Sequence, residues 1–101
     1  MAFFIQTFDR PGEEAKRAQL RMEHLHYLDQ TKHQLLACGA KLDESTAQPT
    51  GGVYLVDVET REEAEAYIAG DPFTKADLFE KIQIEQWRKA FLDGQRFVQL
   101  D

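Results

Sequence analysis

The fold is decided by residues 53–72, which read VYLVDVETREEAEAYIAGDP. Residues 53–58 are apolar on both faces for most of their length, which predicts a buried strand. Thr60 and Glu63 have the spacing of a capping box, in which each side chain satisfies a backbone amide near the other, and this predicts the start of a helix. Gly70 is suited to cap the end of that helix, and Asp71 before Pro72 predicts the start of another.

The N-terminal part of the chain predicts a strand followed by a long helix. Residues 2–8 are rich in aromatic and branched side chains, and residues 9–12 form a turn sequence. Residues 13–31 carry apolar side chains at helical spacing, between acidic residues at the start and basic residues just beyond the end, as the helix dipole favours. The expected inward stripe of this helix consists of Ala18, Met22, Leu25 and Leu28.

One further strand is expected before residues 53–72 and one after them. Residues 35–38 are a short apolar run stopped by Gly39, which predicts a strand, and residues 43–52 have the composition of a loop. Residues 78–86 alternate apolar and polar side chains, which is typical of a half-exposed strand.

The resulting order is strand, helix, strand, strand, helix, strand. This predicts the α+β class and the ferredoxin-like βαββαβ fold, in which a four-stranded antiparallel sheet carries both helices on one face. We expect one domain over residues 1–101, with residues 92–101 as a C-terminal tail or an extra hairpin, because Asp93 and Gly94 are a turn signal. The other face of the sheet exposes alternate apolar side chains, so a second copy in a homodimer is expected to cover it.

The composition argues against several classes of partner. The chain has 101 residues, 12 Lys and Arg against 18 Asp and Glu, and a net charge of −6. Nucleic acids and anionic membranes do not attract such a surface, whereas a small anionic ligand needs only one or two cations. No segment has the length of a membrane span, the first six residues do not have the pattern of a signal peptide, and the lone Cys38 fits a cytoplasmic protein. One Cys and three His also leave no Cys-rich zinc site.

His24 and Arg21 are the first candidate site residues. They are three positions apart on the predicted helix and therefore neighbours on its surface. Arg21 lies beside the apolar stripe, where a cation could hold an anionic ligand while the imidazole moves a proton. The structural alternative is that His24 only flanks the stripe and that Arg21 extends into solvent.

Asp71 is the third candidate. Its carboxylate could hydrogen-bond one nitrogen of a His and fix the tautomer, or it could simply cap a helix. Phe73 and Trp87 could line a substrate pocket, although such aromatic residues are more often part of a core. His26 lies on the far side of the helix from His24, so the two are not expected to share a metal ion.

Several segments together resemble the YCII-related family. They are RMEHLHYL at residues 21–28, LLACG at 35–39, GDPF at 70–73, LFE at 78–80 and QW at 86–87. The resemblance extends to about Phe91, with Ala40 standing where a Pro commonly follows the glycine.

The resemblance implies a fold of the dimeric α/β-barrel type, with two sheets facing each other, and a candidate active-site pair carried by His24 and Asp71. Relatives include a dehydrochlorinating lyase of aromatic breakdown, and the wider superfamily includes muconolactone isomerase. We therefore expect a cofactor-independent lyase or isomerase that acts on a small, cyclic or aromatic-derived anion, with His24 and Asp71 as catalytic residues and Arg21, Phe73 and Trp87 as substrate-binding residues. The alternatives are a non-catalytic dimer that binds a small ligand or serves as an accessory protein and, more remotely, an oxygenase with or without haem.

Overall fold

A computed structural model describes residues 2–101. Its main sheet has four antiparallel strands in the order β2-β3-β1-β4. The elements, in chain order, are β1 (Ala2–Asp9), α1 (Glu14–Gln30), a 3₁₀ turn (Lys32–Gln34), β2 (Leu35–Leu42), β3 (Pro49–Val56), α2 (Arg61–Ala69), α3 (Pro72–Lys75), β4 (Phe79–Trp87), β5 (Phe91–Leu92) and β6 (Gln95–Arg96). The helices cover one face of the sheet, so the predicted ferredoxin-like fold is confirmed.

Strand register decides which side chains meet the helices. Ile5 of β1 lies between Tyr54 of β3 and Ile84 of β4, and these side chains face the helices. Phe4 is paired with Leu55, and both point to the face that no helix covers. The core is therefore a single layer between sheet and helices, and its buried apolar cluster consists of Phe3, Ile5, Tyr54, Val56, Val58, Ala64, Tyr67, Ile68, Phe73, Leu78 and Phe79.

The helix signals of the central segment are confirmed. The Thr60 hydroxyl accepts a hydrogen bond from the Glu63 amide at 3.1 Å, and the Glu63 carboxylate accepts one from the Thr60 amide at 3.0 Å. Gly70 caps the end of α2, and Asp71 caps α3 with Pro72 in the first turn.

Two strand boundaries were predicted wrongly. β2 continues through Gly39 to Leu42, and β3 begins at Pro49, inside the segment predicted to be a loop. The residues that resemble loop residues are tolerated because hairpin pairing between β2 and β3 provides their backbone partners: Ala40 is paired with Gly52 and Lys41 with Gly51.

The predicted inward stripe of α1 is only partly correct. Met22 is 63% exposed and Leu25 is 37% exposed. Leu28 does pack against the core, together with Leu20 and Tyr27, which the prediction did not include. The covered face of the helix also carries polar side chains that find partners inside the protein, and a search for apolar periodicity alone does not detect such a face.

Residues 91–96 form a small hairpin beyond the main sheet. Asp93 and Gly94 have φ angles of 51° and 76°, the left-handed pair that a tight two-residue hairpin turn requires. The segment predicted as a tail or a hairpin thus contains a hairpin up to Arg96, and residues 97–101 follow it without helix or strand. Within residues 2–101, no helix combines the length and the hydropathy needed to cross a membrane.

Candidate active site

Asp71 is the centre of the candidate site and is fully buried. Its carboxylate accepts three hydrogen bonds: from the Phe73 amide at 2.8 Å, from the Tyr54 hydroxyl at 2.8 Å and from Nδ1 of His24 at 2.8 Å. Asp71, which caps α3, thus also links α1 to β3 through its hydrogen bonds with His24 and Tyr54. Three donors supply the hydrogen bonds that a carboxylate loses when it leaves water.

The imidazole of His24 is held on two sides. Nδ1 lies 2.8 and 3.0 Å from the two oxygens of Asp71, and the ring stacks on Phe73 with centroids 4.1 Å apart and planes 15° apart. In the neutral ring, donation to Asp71 puts the proton on Nδ1 and the lone pair on Nε2. Nε2 makes no hydrogen bond within residues 2–101, and its ring borders a cavity.

Tyr54 donates a hydrogen bond to Asp71 from an uncharged phenol. Burial, together with the neighbouring charge of Asp71 and the hydrogen bond to it, raises the pKa of the Tyr54 phenol far above its ordinary value. The phenol therefore keeps its proton and fixes Asp71. Sequence analysis did not single out Tyr54, although it is the one polar side chain in the apolar run of residues 53–56.

The cavity lies between α1 and the β2–β3 part of the sheet. Its volume is about 330 Å³, within the range of small-molecule sites. Its walls combine the apolar side chains of Leu25 and Leu28 with the polar groups of His24 and Arg21. A ligand the size of one substituted six-membered ring fits this space.

Of the five predicted site residues, His24, Asp71 and Phe73 are in direct contact and Arg21 borders the same cavity. The exposed Arg21 makes no hydrogen bond or ion pair with any residue of the described part of the chain, so its guanidinium is available to a ligand. The structure does not bring Trp87 into the cavity. It lies at the end of β4, opposite Ala2, because β4 pairs with β1 on the edge farthest from β2.

Arg17 is a second cation at the cavity that sequence analysis missed. Its side chain is only 12% exposed and lies 3.5 Å from Asp9, donates to the Gly51 carbonyl at 3.0 Å and sits 4.8 Å from the centre of the Phe73 ring. The available signal was its position four residues before Arg21 and seven before His24, which puts all three on one side of the helix.

The sequence model of the YCII-related domain family matches residues 1–88. The chain belongs to this family. Protein YciI of Escherichia coli O6:H1 is 26% identical over 98 residues, which is 90% of this chain and 100% of YciI.

One solved YCII-like structure combines high structural similarity with shared sequence. It is the 5-chloro-2-hydroxyhydroquinone dehydrochlorinase of Burkholderia phenoliruptrix, in complex with 2,5-dihydroxybenzoquinone, at 33% identity and a TM-score of 0.82, covering 87% of this chain and 94% of the dehydrochlorinase. A putative antibiotic biosynthesis monooxygenase from Bacteroides thetaiotaomicron is similar in fold alone, at 9% identity and a TM-score of 0.57, covering 100% of this chain and 95% of the monooxygenase.

The thiol of Cys38, a possible nucleophile, also borders the cavity. Partial removal from water and, to a smaller extent, the charge of Asp71 raise the pKa of its thiol from 9.0 to about 11. At neutral pH the group is therefore a thiol and a weak nucleophile.

No group of three His, Cys, Asp or Glu side chains within residues 2–101 is arranged to hold a metal ion.

Proposed function

We propose that this YCII-related protein is a cofactor-independent enzyme that moves a proton on a small, anionic, ring-shaped molecule, in an elimination or an isomerisation. One observation carries the proposal: Asp71 holds Nδ1 of His24, which leaves Nε2 as a base in a ring that borders a ligand-sized cavity. The substrate class is supported by the dehydrochlorinase relative, whose structure contains a dihydroxybenzoquinone.

The chemistry assigns one role to each side chain. In an elimination from the chlorinated hydroquinone, one hydroxyl proton moves to the carbon that bears chlorine. Nε2 of His24 removes the proton of a second hydroxyl, the O–H electron pair forms a C=O bond, the ring double bond shifts, and chloride leaves with the electron pair of its bond to carbon. In an isomerisation, Nε2 removes a proton from a saturated ring carbon and returns it to a different carbon. Asp71 stabilises the imidazolium that forms, and Arg21 stabilises the negative charge that develops on a ring oxygen.

The test is the release of chloride from 5-chloro-2-hydroxyhydroquinone by the purified protein. We expect His24→Gln to lower the rate by about a hundredfold or more, because a general base contributes on that order. His26→Gln is the matched control, since His26 is exposed on the same helix and does not border the cavity. An unchanged rate in His24→Gln would contradict the proposal.

The same variant tests the non-catalytic alternative. If His24 and Asp71 are only structural partners, His24→Gln lowers the melting temperature and the affinity for ligand together, and the wild type releases no chloride. The enzyme proposal instead predicts a loss of rate that is much larger than the loss of affinity.

We further propose a homodimer formed through the open face of the sheet. Phe4 and Phe8 of β1, with Val53 and Leu55 of β3, point away from the helices and are only partly covered. Apolar side chains that stay partly in water are unfavourable, and a second copy would bury these four.

A further inference from the structure

Two adjacent glycines in β3 differ in what the fold requires of them. At Gly51, an added methyl group would collide with the carbonyl oxygen of Thr7 and come within 2.8 Å of Cε of Lys41. The close approach of β1 therefore demands glycine at this position.

Gly52 is under no such demand. An added methyl group there would meet Thr7 Oγ1, a ring carbon of Tyr54 and the Gly39 carbonyl, each at 3.4 Å, which is the short limit of ordinary van der Waals contact. Its backbone does not have the positive φ that favours glycine. Alanine at position 52 is thus compatible with the fold, and packing does not explain why the residue is glycine.

The position of Gly52 supplies an explanation. The residue borders the cavity, and its strand partners Thr7 and Ala40 share the face of the sheet that α1 covers. Across the cavity the helix contributes the small side chain of Ala18. Gly52 is buried and adds no side chain to the cavity wall at this point.

We infer that Gly52 is a specificity residue that selects a flat ring. An aromatic or quinonoid ring lies against the backbone of β3 at van der Waals distance, whereas a puckered ring or a methyl group on the protein displaces it from this position. The inference rests on the proposed function, because it names the ring geometry that the His24 site accepts. Gly52 itself takes no part in proton transfer.

The experiment measures binding of 2,5-dihydroxybenzoquinone by calorimetry to the wild type and to Gly52→Ala, with thermal unfolding of each. We expect Gly52→Ala to bind roughly tenfold or more weakly, as a misplaced methyl group in a pocket does. We expect its melting temperature to be equal or higher, because alanine loses less conformational freedom on folding than glycine. Affinity and stability thus move in opposite directions, which a merely structural glycine would not cause.

Gly39→Ala is the matched control on the neighbouring strand. Gly39 also borders the cavity, but its methyl group would meet nothing within 4 Å and would project from the opposite face of the sheet, where the paired residue is Val53. This variant should bind the quinone as the wild type does. A pair of uncharged ligands tests flatness directly: hydroquinone is a flat ring, and cyclohexane-1,4-diol carries the same two hydroxyl groups on a puckered ring. We expect the diol to bind at least about tenfold more weakly than hydroquinone.

The outcomes separate this inference from the proposed function. If the wild type binds the quinone but Gly52→Ala binds it equally well, or if cyclohexane-1,4-diol binds as tightly as hydroquinone, the inference is overturned and the proposed function stands. A Gly52→Ala variant that unfolds more readily also overturns it, since the fold would then require the glycine. If the wild type does not bind the quinone, the proposed ligand class fails and the inference fails with it.

Discussion

Asp71 serves the fold and the candidate site at the same time. Its role as a helix cap could be predicted from the following proline, because the capping preference is local. Its hydrogen bond to His24 spans 47 residues of sequence, and the one to Tyr54 spans 17. No local rule predicts such contacts, so the pairing of His24 with Asp71 came from family resemblance, and the part played by Tyr54 needed the structure.

Tyr54→Phe tests the contribution of the phenol to this network. The variant keeps the ring but removes one of the three donors to a fully buried carboxylate, so we expect a loss of about 1–3 kcal/mol in the free energy of unfolding. Urea denaturation measures the loss, and chloride release should also slow because Asp71 is held less firmly. Tyr67→Phe is the control: its hydroxyl contacts Thr31 rather than Asp71, so stability should fall while the rate is maintained. Equal effects of both variants on the rate would contradict this role.

Cys38 provides a prediction about pH. Its thiol has a pKa of about 11 in the folded protein and 9.0 in the unfolded chain. Because the folded state holds the proton more tightly, this group favours folding fully below pH 9.0, and its contribution is lost as the pH rises through about 11. We expect the iodoacetamide reaction rate to reach its midpoint near pH 11, with the fold monitored by circular dichroism. A midpoint near 9 would show that the thiol is fully solvated.

At the scale of elements, α1 shows why apolar periodicity can mislead. The covered face of this helix contains Arg17, His24 and Tyr27, which make hydrogen bonds to Gly51, Asp71 and Tyr67 respectively. The more apolar stripe borders the cavity and the solvent instead. The existence and length of the helix were predictable because they depend on local preferences. The rotation of the helix about its axis depends on partners that are distant in the sequence, so it was not predictable.

The Arg17–Asp9 pair joins this helix to the end of β1, and its removal should be costly. Both side chains are 12% exposed, and burial raises the pKa of Asp9 above its ordinary value while Arg17 opposes that effect. We expect Arg17→Met to lower the free energy of unfolding at neutral pH by about 2 kcal/mol or more, because it leaves a buried carboxylate unpaired. The loss should shrink as the pH falls through the raised pKa of Asp9, because a protonated carboxyl group no longer needs a cation beside it.

Arg10→Met is the control for that measurement. Its ion pair with Asp77 has the same residue types but side chains that are 44% and 77% exposed, so we expect a change of a few tenths of a kcal/mol, about what exposed pairs contribute. The double variant Asp9→Asn, Arg17→Met should recover part of the stability. Equal losses in Arg10→Met and Arg17→Met would show that burial of the Arg17–Asp9 pair does not increase its contribution to stability.

At the scale of the whole molecule, the order of elements was predictable and the site was not. Capping signals, turn residues and strand alternation are local, and they determined the ferredoxin-like order. The cavity arises where α1, β2 and β3 meet, and its shape depends on the rotation of α1 and on where β2 and β3 pair, which are the two features that sequence patterns misplaced. The other face of the same sheet carries apolar residues that no helix covers.

Leu55→Glu should separate the proposed homodimer. Leu55 lies at the centre of the open face beside its partner Phe4, so a carboxylate there would be buried without a cation if two sheets faced each other. We expect the wild type to sediment at twice the 11.7 kDa of the chain and the variant at 11.7 kDa. Ala66→Glu, on the exposed side of α2, should leave the dimer intact. A wild type that sediments as a single chain at all concentrations would contradict the dimer, because the apolar face would then be stable in water without a covering copy.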